Sequence, residues 1–283
     1  MNNPTPAGPA DAHASHAPGP LRPLGRVATF VAVGDSFTEG MSDPYPANGA
    51  HPPDTYRGWA DLLADRLATA EPGLRYANLA VRGKLIRQIA HDQVPIAAAL
   101  GADLTTLAGG LNDVLRPRCD LAAVCAVLEE AAATLAASTG HLVLFRSTDP
   151  TRRLRSSARL MPRIEQLISF VDDLGKRHDA TVVDLFTARV FDDPRMWGID
   201  RLHLSTEGHR RVAEAVCEAL GLPHDPDWRV PLAPAAPDPW LTRRKADASW
   251  ARIHLGPWLY RRVTGRSSGD GRPPKRPELT AWE

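Results

Sequence analysis

The sequence predicts an α/β protein built on a parallel sheet with helices on both faces. Five short β-branched or apolar runs alternate with longer stretches of helical spacing, the pattern of strands joined by crossover helices. Polar and glycine-bearing segments fall just after several of these runs, where ligands gather at the carboxyl ends of the strands in such sheets.

The strands are expected at Arg26–Val33, Arg75–Ala80, Asp103–Ala108, His141–Arg146 and Ala180–Leu185. Gly58–Ala70 has helical spacing, with Trp59, Leu62, Leu63 and Leu67 along one face. Further helices are expected at Lys84–Leu100 (interrupted at Pro95), Ala122–Ala137, Arg159–His178 and Thr206–Leu220. At 283 residues the chain has room for one such domain and additional segments. Composition divides it into a disordered start (1–25), the α/β body (26–222) and a C-terminal arm (223–283).

With 34 basic and 33 acidic residues the net charge is +1, so nothing global points to nucleic acid. The charge is unevenly spread: from Arg229 onward the net is +6, against −5 before it. Cys119, Cys125 and Cys217 show no Cys-x-x-Cys spacing and read as reduced, mostly buried thiols. The first 26 residues lack an early basic group and an apolar core, so they do not read as a signal peptide. No apolar run is expected to approach the length needed to cross a bilayer, and a cytoplasmic protein is expected.

Four segments carry candidate chemistry. In Gly34-Asp35-Ser36, a serine in the turn after the first strand has its own N–H free to face an oxyanion. Standing alone, the tripeptide is as well read as a turn or helix cap. In Asp200-Arg201-Leu202-His203, a carboxylate three residues before a histidine can hold Nδ1–H and leave Nε2 to take a serine proton. The plainer reading is a surface hydrogen bond. Ser205 or Thr206 is placed to cap the helix that follows. Gly109-Gly110-Leu111-Asn112-Asp113 lets backbone approach a ligand and offers a side-chain amide, or is simply a capped turn. Gly83, after the second strand, adds another backbone N–H or is a loop glycine.

Taken in chain order, these four blocks resemble the SGNH hydrolase family of GDSL-type esterases and lipases, over about residues 27–221. The resemblance implies a flavodoxin-like three-layer α/β/α sandwich around a central five-stranded parallel sheet. It implies Ser36 as nucleophile, His203 as general base and Asp200 as its orienting carboxylate. Ser36, Gly83 and Asn112 would form the oxyanion hole. Phe37 stands where the family's namesake motif has leucine.

The expected function is hydrolysis of a small-molecule ester through an acyl-enzyme, without cofactor or metal. A carbohydrate O-deacetylase or transacylase would use the same residues, and the competing class is a non-catalytic module recruited through its arm. His209 reads as a solvated helix residue, Arg82 and Arg87 as surface arginines, and Thr148-Asp149-Pro150 as pocket wall or plain loop.

Five of the seven tryptophans lie in the arm: Trp228, Trp240, Trp250, Trp258 and Trp282. Their number favours an arm packed on the body, with 262–277 flexible. The sharper alternative is peripheral contact with anionic lipid or a partner protein. Oligomeric state is not legible.

Overall fold

Hydrogen-bond pairing in the computed structural model joins β1 (Thr29–Val33), β2 (Arg75–Asn78), β3 (Leu104–Leu107), β4 (His141–Arg146) and β5 (Thr181–Asp184) into one parallel sheet. The structure describes residues 24–46, 51–151, 155–235, 239–257, 260 and 267–283. The expected N-terminal segment and Trp258 therefore lie wholly or mostly outside the described residues. A sixth strand, β6 (Arg276–Ala281), pairs antiparallel with β2 and gives the order β5-β4-β3-β1-β2-β6. Without β6 this is the flavodoxin-like order, and its switch point lies between β1 and β3.

The sheet is covered on both faces. On one lie α2 (Gly58–Ala70) and α8 (Thr206–Ala219), which pack Trp59, Leu63 and Leu67 with Val212 and Val216 over Phe30 and Tyr76. The other carries α3 (Ile86–Asp92), α4 (Val94–Leu100), α6 (Leu121–Ser138) and α7 (Met161–Arg177). Two short helices, α1 (Ser36–Glu39) and α5 (Leu111–Val114), follow β1 and β3 directly. In the arm, α9 spans Trp240–Trp250. The Lys84–Leu100 pattern breaks at Gln93, so that Pro95 occupies the first turn of α4, where its missing N–H costs nothing. By length and composition α6 could cross a bilayer, contrary to the expectation that no apolar run approaches that length. Here its Val124, Leu128, Ala132 and Leu135 are buried in the domain.

Two expectations are corrected. Among the described residues the sheet has six strands rather than five, and the described part of 262–277 is built into the domain rather than flexible. Neither was visible locally, because β6 reads Arg-Pro-Glu-Leu-Thr-Ala, with no alternating apolar face and a proline that only an edge strand tolerates. Non-local contacts hold it. Trp282 meets Tyr76 edge to face at 5.1 Å and donates from Nε1 to Asp65 Oδ1 at 2.8 Å. Of the cysteines only Cys217 is buried; Cys119 and Cys125 are half-buried.

Lys275 anchors the end of the arm through a buried ion pair. Its ammonium lies 2.8 Å from Asp61 Oδ1 and donates to the carbonyls of Tyr56 and Arg57 at 2.8 and 2.6 Å. Burial opposes both charges, pushing the Asp61 carboxyl up and the Lys275 ammonium down. Removing one partner strands the other. Lys275→Met is therefore expected to cost ~3–5 kcal/mol, read as a lower urea midpoint. An unchanged midpoint would show that this ion pair does not hold the arm.

Candidate active site

Gly34 and Asp35 link β1 to α1 in a tight turn. A Cβ at Gly34 would stand 2.8 Å from the carbonyl of Ala108 on the neighbouring strand end, so only glycine fits. Gln93 grips this turn from α3–α4, accepting from Gly34 N–H and donating to its carbonyl, both at 2.9 Å. Asp35 caps α1 by accepting from Phe37 N–H at 3.0 Å, which leaves Ser36 as the first helical residue. The serine is thus not the cap itself.

Asp200 and His203 lie in a narrow turn ahead of α8. Trp197 bridges Leu204, Gly198 N–H donates to His203 O at 2.8 Å, and Arg201 takes a positive φ of 57°. Asp200 Oδ2 stands 2.7 Å from His203 Nδ1, while Oδ1 accepts from the N–H groups of Leu202 and His203 at 2.9 and 3.0 Å. Burial raises the Asp200 carboxyl, but the hydrogen bond and charge of His203 outweigh it and hold Asp200 well below the usual carboxylate range. Ser205 caps α8 through Gly208 N–H at 3.2 Å.

After β3, Asn112 lies in α5. Its Nδ2 donates to Asp35 Oδ2 at 2.9 Å and to Lys84 O at 3.2 Å, while Asp113 accepts from Ile86 N–H at the start of α3. After β2, Gly83 has φ +74°, a conformation that favours glycine. The preceding Arg82 is buried, against expectation. Its Nε donates to Glu39 Oε1 at 2.8 Å and its Nη1 pairs with Asp54 at 3.1 Å. That pairing ties the Gly83 loop to the serine's helix.

Ser36, Asn112 and His203 meet in one cleft of about 160 Å³ at the β1/β3 switch point. Asp200 stands behind His203, and Gly83 is not among the lining residues. Phe37, Leu111, Leu115, Phe145, Leu185 and Leu202 give the cleft an apolar wall, and Ser147 and Thr148 also reach it. Asp149, by contrast, closes a turn onto Thr151 N–H at 2.8 Å.

His209 also lines this cleft and is buried rather than solvated. Its Nδ1 accepts from Trp59 N–H at 3.2 Å and its Nε2 faces Met41 O at 3.1 Å, a neutral tautomer fixed from both sides. Burial pushes His209 down to about 4 and Asp35 up to about 6. The two act oppositely on stability. Asp35, raised from 3.8, loses stabilisation as pH climbs to about 6. His209, lowered from 6.5, loses it as pH falls toward about 4. Asp35→Asn should remove the opposing carboxyl, so that between pH about 6 and about 4 stability falls by about 3 kcal/mol more in the variant than in the wild type. Melting curves across that range would check this; the same profile in variant and wild type would contradict it.

Among solved structures, the chain resembles an α/β hydrolase enzyme from the metagenome of Lake Arreo, Spain, at 23% identity and a TM-score of 0.55. That match covers 72% of this chain and 98% of the other. It also resembles a catalytic mutant of the acetylxylan esterase Axe2 from Geobacillus stearothermophilus, at 18% identity and a TM-score of 0.57. Here 72% of this chain and 97% of that one are covered. The catalytic mutants of Axe2 change a serine, an aspartate and a histidine. No curated protein matches the chain. The model of the GDSL-like Lipase/Acylhydrolase family matches residues 32–211, well over half the sequence. The chain belongs to that family and is a carboxylic ester hydrolase of the SGNH fold.

Proposed function

We propose that the protein hydrolyses small-molecule acyl esters through an acyl-enzyme on Ser36. The observation that carries this is the 2.7 Å pairing of Asp200 with His203 Nδ1, which leaves Nε2 to the cleft that Ser36 lines. His203 takes the proton of Ser36 as Oγ attacks the ester carbonyl, and returns it to the leaving alcohol. Water, deprotonated by the same nitrogen, then adds to the acyl carbonyl. Collapse frees the acid and restores the serine. Ser36 and Gly83 N–H groups and the Asn112 amide are the proposed oxyanion donors. Asn112 would serve by sharing its longer, 3.2 Å bond to Lys84 O, because Asp35 holds the shorter one.

The apolar wall supports an acyl chain as the group bound in the cleft. A carbohydrate O-deacetylase is the second reading, supported by the acetylxylan esterases among the structural neighbours. In Axe2 the mutated catalytic aspartate and histidine are three positions apart, the spacing of Asp200 and His203. Labelling by a fluorophosphonate, followed by an ester series from acetyl upward and acetylated xylooligosaccharide, tests both. Rates that rise with acyl length favour the first reading, and preference for the acetylated sugar favours the second. An unlabelled protein would overturn Ser36 as the nucleophile.

A further inference from the structure

The family match ends at residue 211, yet the arm beyond it returns to the candidate site. We propose that Trp250, supported by Asp247, is a positioning residue for ester hydrolysis: the C-terminal arm holds the Asp200–His203 turn in its working geometry. This rests on the reading that His203 serves Ser36.

The turn needs a hold from outside. Arg201, between the two candidate residues, sits in the left-handed region at φ 57°, a conformation that a non-glycine residue adopts under strain. The peptide before this strained residue and its own side chain are both gripped from α9. Trp250 Nε1–H donates to Asp200 O at 2.7 Å, and the Trp250 ring lies under the Arg201 guanidinium at 5.1 Å. Asp247 Oδ1 pairs with Arg201 Nη1 at 2.7 Å. Asp200 in turn sets the imidazole directly, through Oδ2 on Nδ1 and Oδ1 on the His203 N–H. A shift of the Asp200 peptide therefore moves the base.

These contacts are not a by-product of core burial. Residues 240–249 are exposed, and Trp250 is the first of α9 that is not. The arm is anchored on either side of α9, by fully buried Trp228 before it and by Lys275 after it. On its way to Lys275 the chain also presses on the Gly83 loop. A Cβ on Gly269 would lie 2.0 Å from Arg82 O, and Ser267 Oγ donates to that carbonyl at 3.4 Å.

The full-length protein tests this through Trp250→Phe, which keeps a ring but removes the N–H donor, and Asp247→Ala at an exposed position. Each is expected to lower kcat, by about tenfold for Trp250→Phe and about threefold for Asp247→Ala, with KM within about twofold. The fluorophosphonate labelling rate should fall in parallel while the endpoint stays at one label per chain, and Asp247→Glu should restore most of the rate. Unchanged kcat in both variants would overturn the proposal. So would a loss of rate that merely tracks a lower labelling endpoint, which would mean unfolding rather than mispositioning. A wild-type chain that takes no label would fail earlier, at the assignment of Ser36, and would remove this proposal with it.

Discussion

Replacing Ser36 by alanine is expected to lower turnover of a simple acyl ester by ~10⁴–10⁶-fold, because every covalent step is assigned to one hydroxyl. The fold should not register the change. Asp35, not Ser36, caps α1, and the Ser36 carbonyl that accepts from Gly40 and Met41 N–H is backbone, which alanine keeps. Alanine also favours a helical position. Initial rates, the melting temperature and fluorophosphonate labelling together decide the matter. A folded variant with wild-type turnover would sink the nucleophile assignment. A variant that loses turnover and also melts early would show that the hydroxyl holds the β1–α1 turn.

The parallel sheet is legible because short runs rich in β-branched or apolar residues alternate with helical spacing, and the four blocks lie next to strand ends that the alternation itself locates. What escaped the sequence depends on partners distant in the chain. Arg82 looks like a loop arginine until Glu39 and Asp54 enclose it, and nothing local to Gln93 announces that it grips Gly34. Lys275 belongs to a run of charge and proline whose neighbours give no hint of Asp61. His209 is different. It falls three and seven residues before Val212 and Val216, both buried, so the helical period that placed α8 also placed His209 on its inner face. Reading it as solvated gave its polarity precedence over that period. The role of Asp35 depends on a distant partner too: beside its local cap on α1, its carboxylate receives the amide of Asn112, which lies 77 residues on.

Asp200→Asn should reduce kcat by about 10⁴-fold with little change in KM, although it alters a single atom of a residue that is not expected to touch the ester. The structure supplies the reason. Asp200 accepts from three N–H groups, those of Leu202, His203 and the imidazole, and a carboxylate can satisfy all three. Asparagine has one acceptor oxygen and one donor amide to divide between the two sides. With its oxygen toward the backbone, the amide faces Nδ1, which must then accept; the proton moves to Nε2 and no base is left for Ser36. With its oxygen toward Nδ1, the amide is driven against the Leu202 and His203 N–H groups, and the turn that carries the strained Arg201 must open. Either route disables His203, the first through its tautomer and the second through its position. The routes separate experimentally. Tautomer loss leaves thermal stability unchanged, whereas an opened turn loosens the hold of Trp250 on Asp200 O and lowers the melting temperature. A fall in kcat of less than about tenfold would contradict both, and would reduce Asp200 to a residue that shapes the turn without orienting the base.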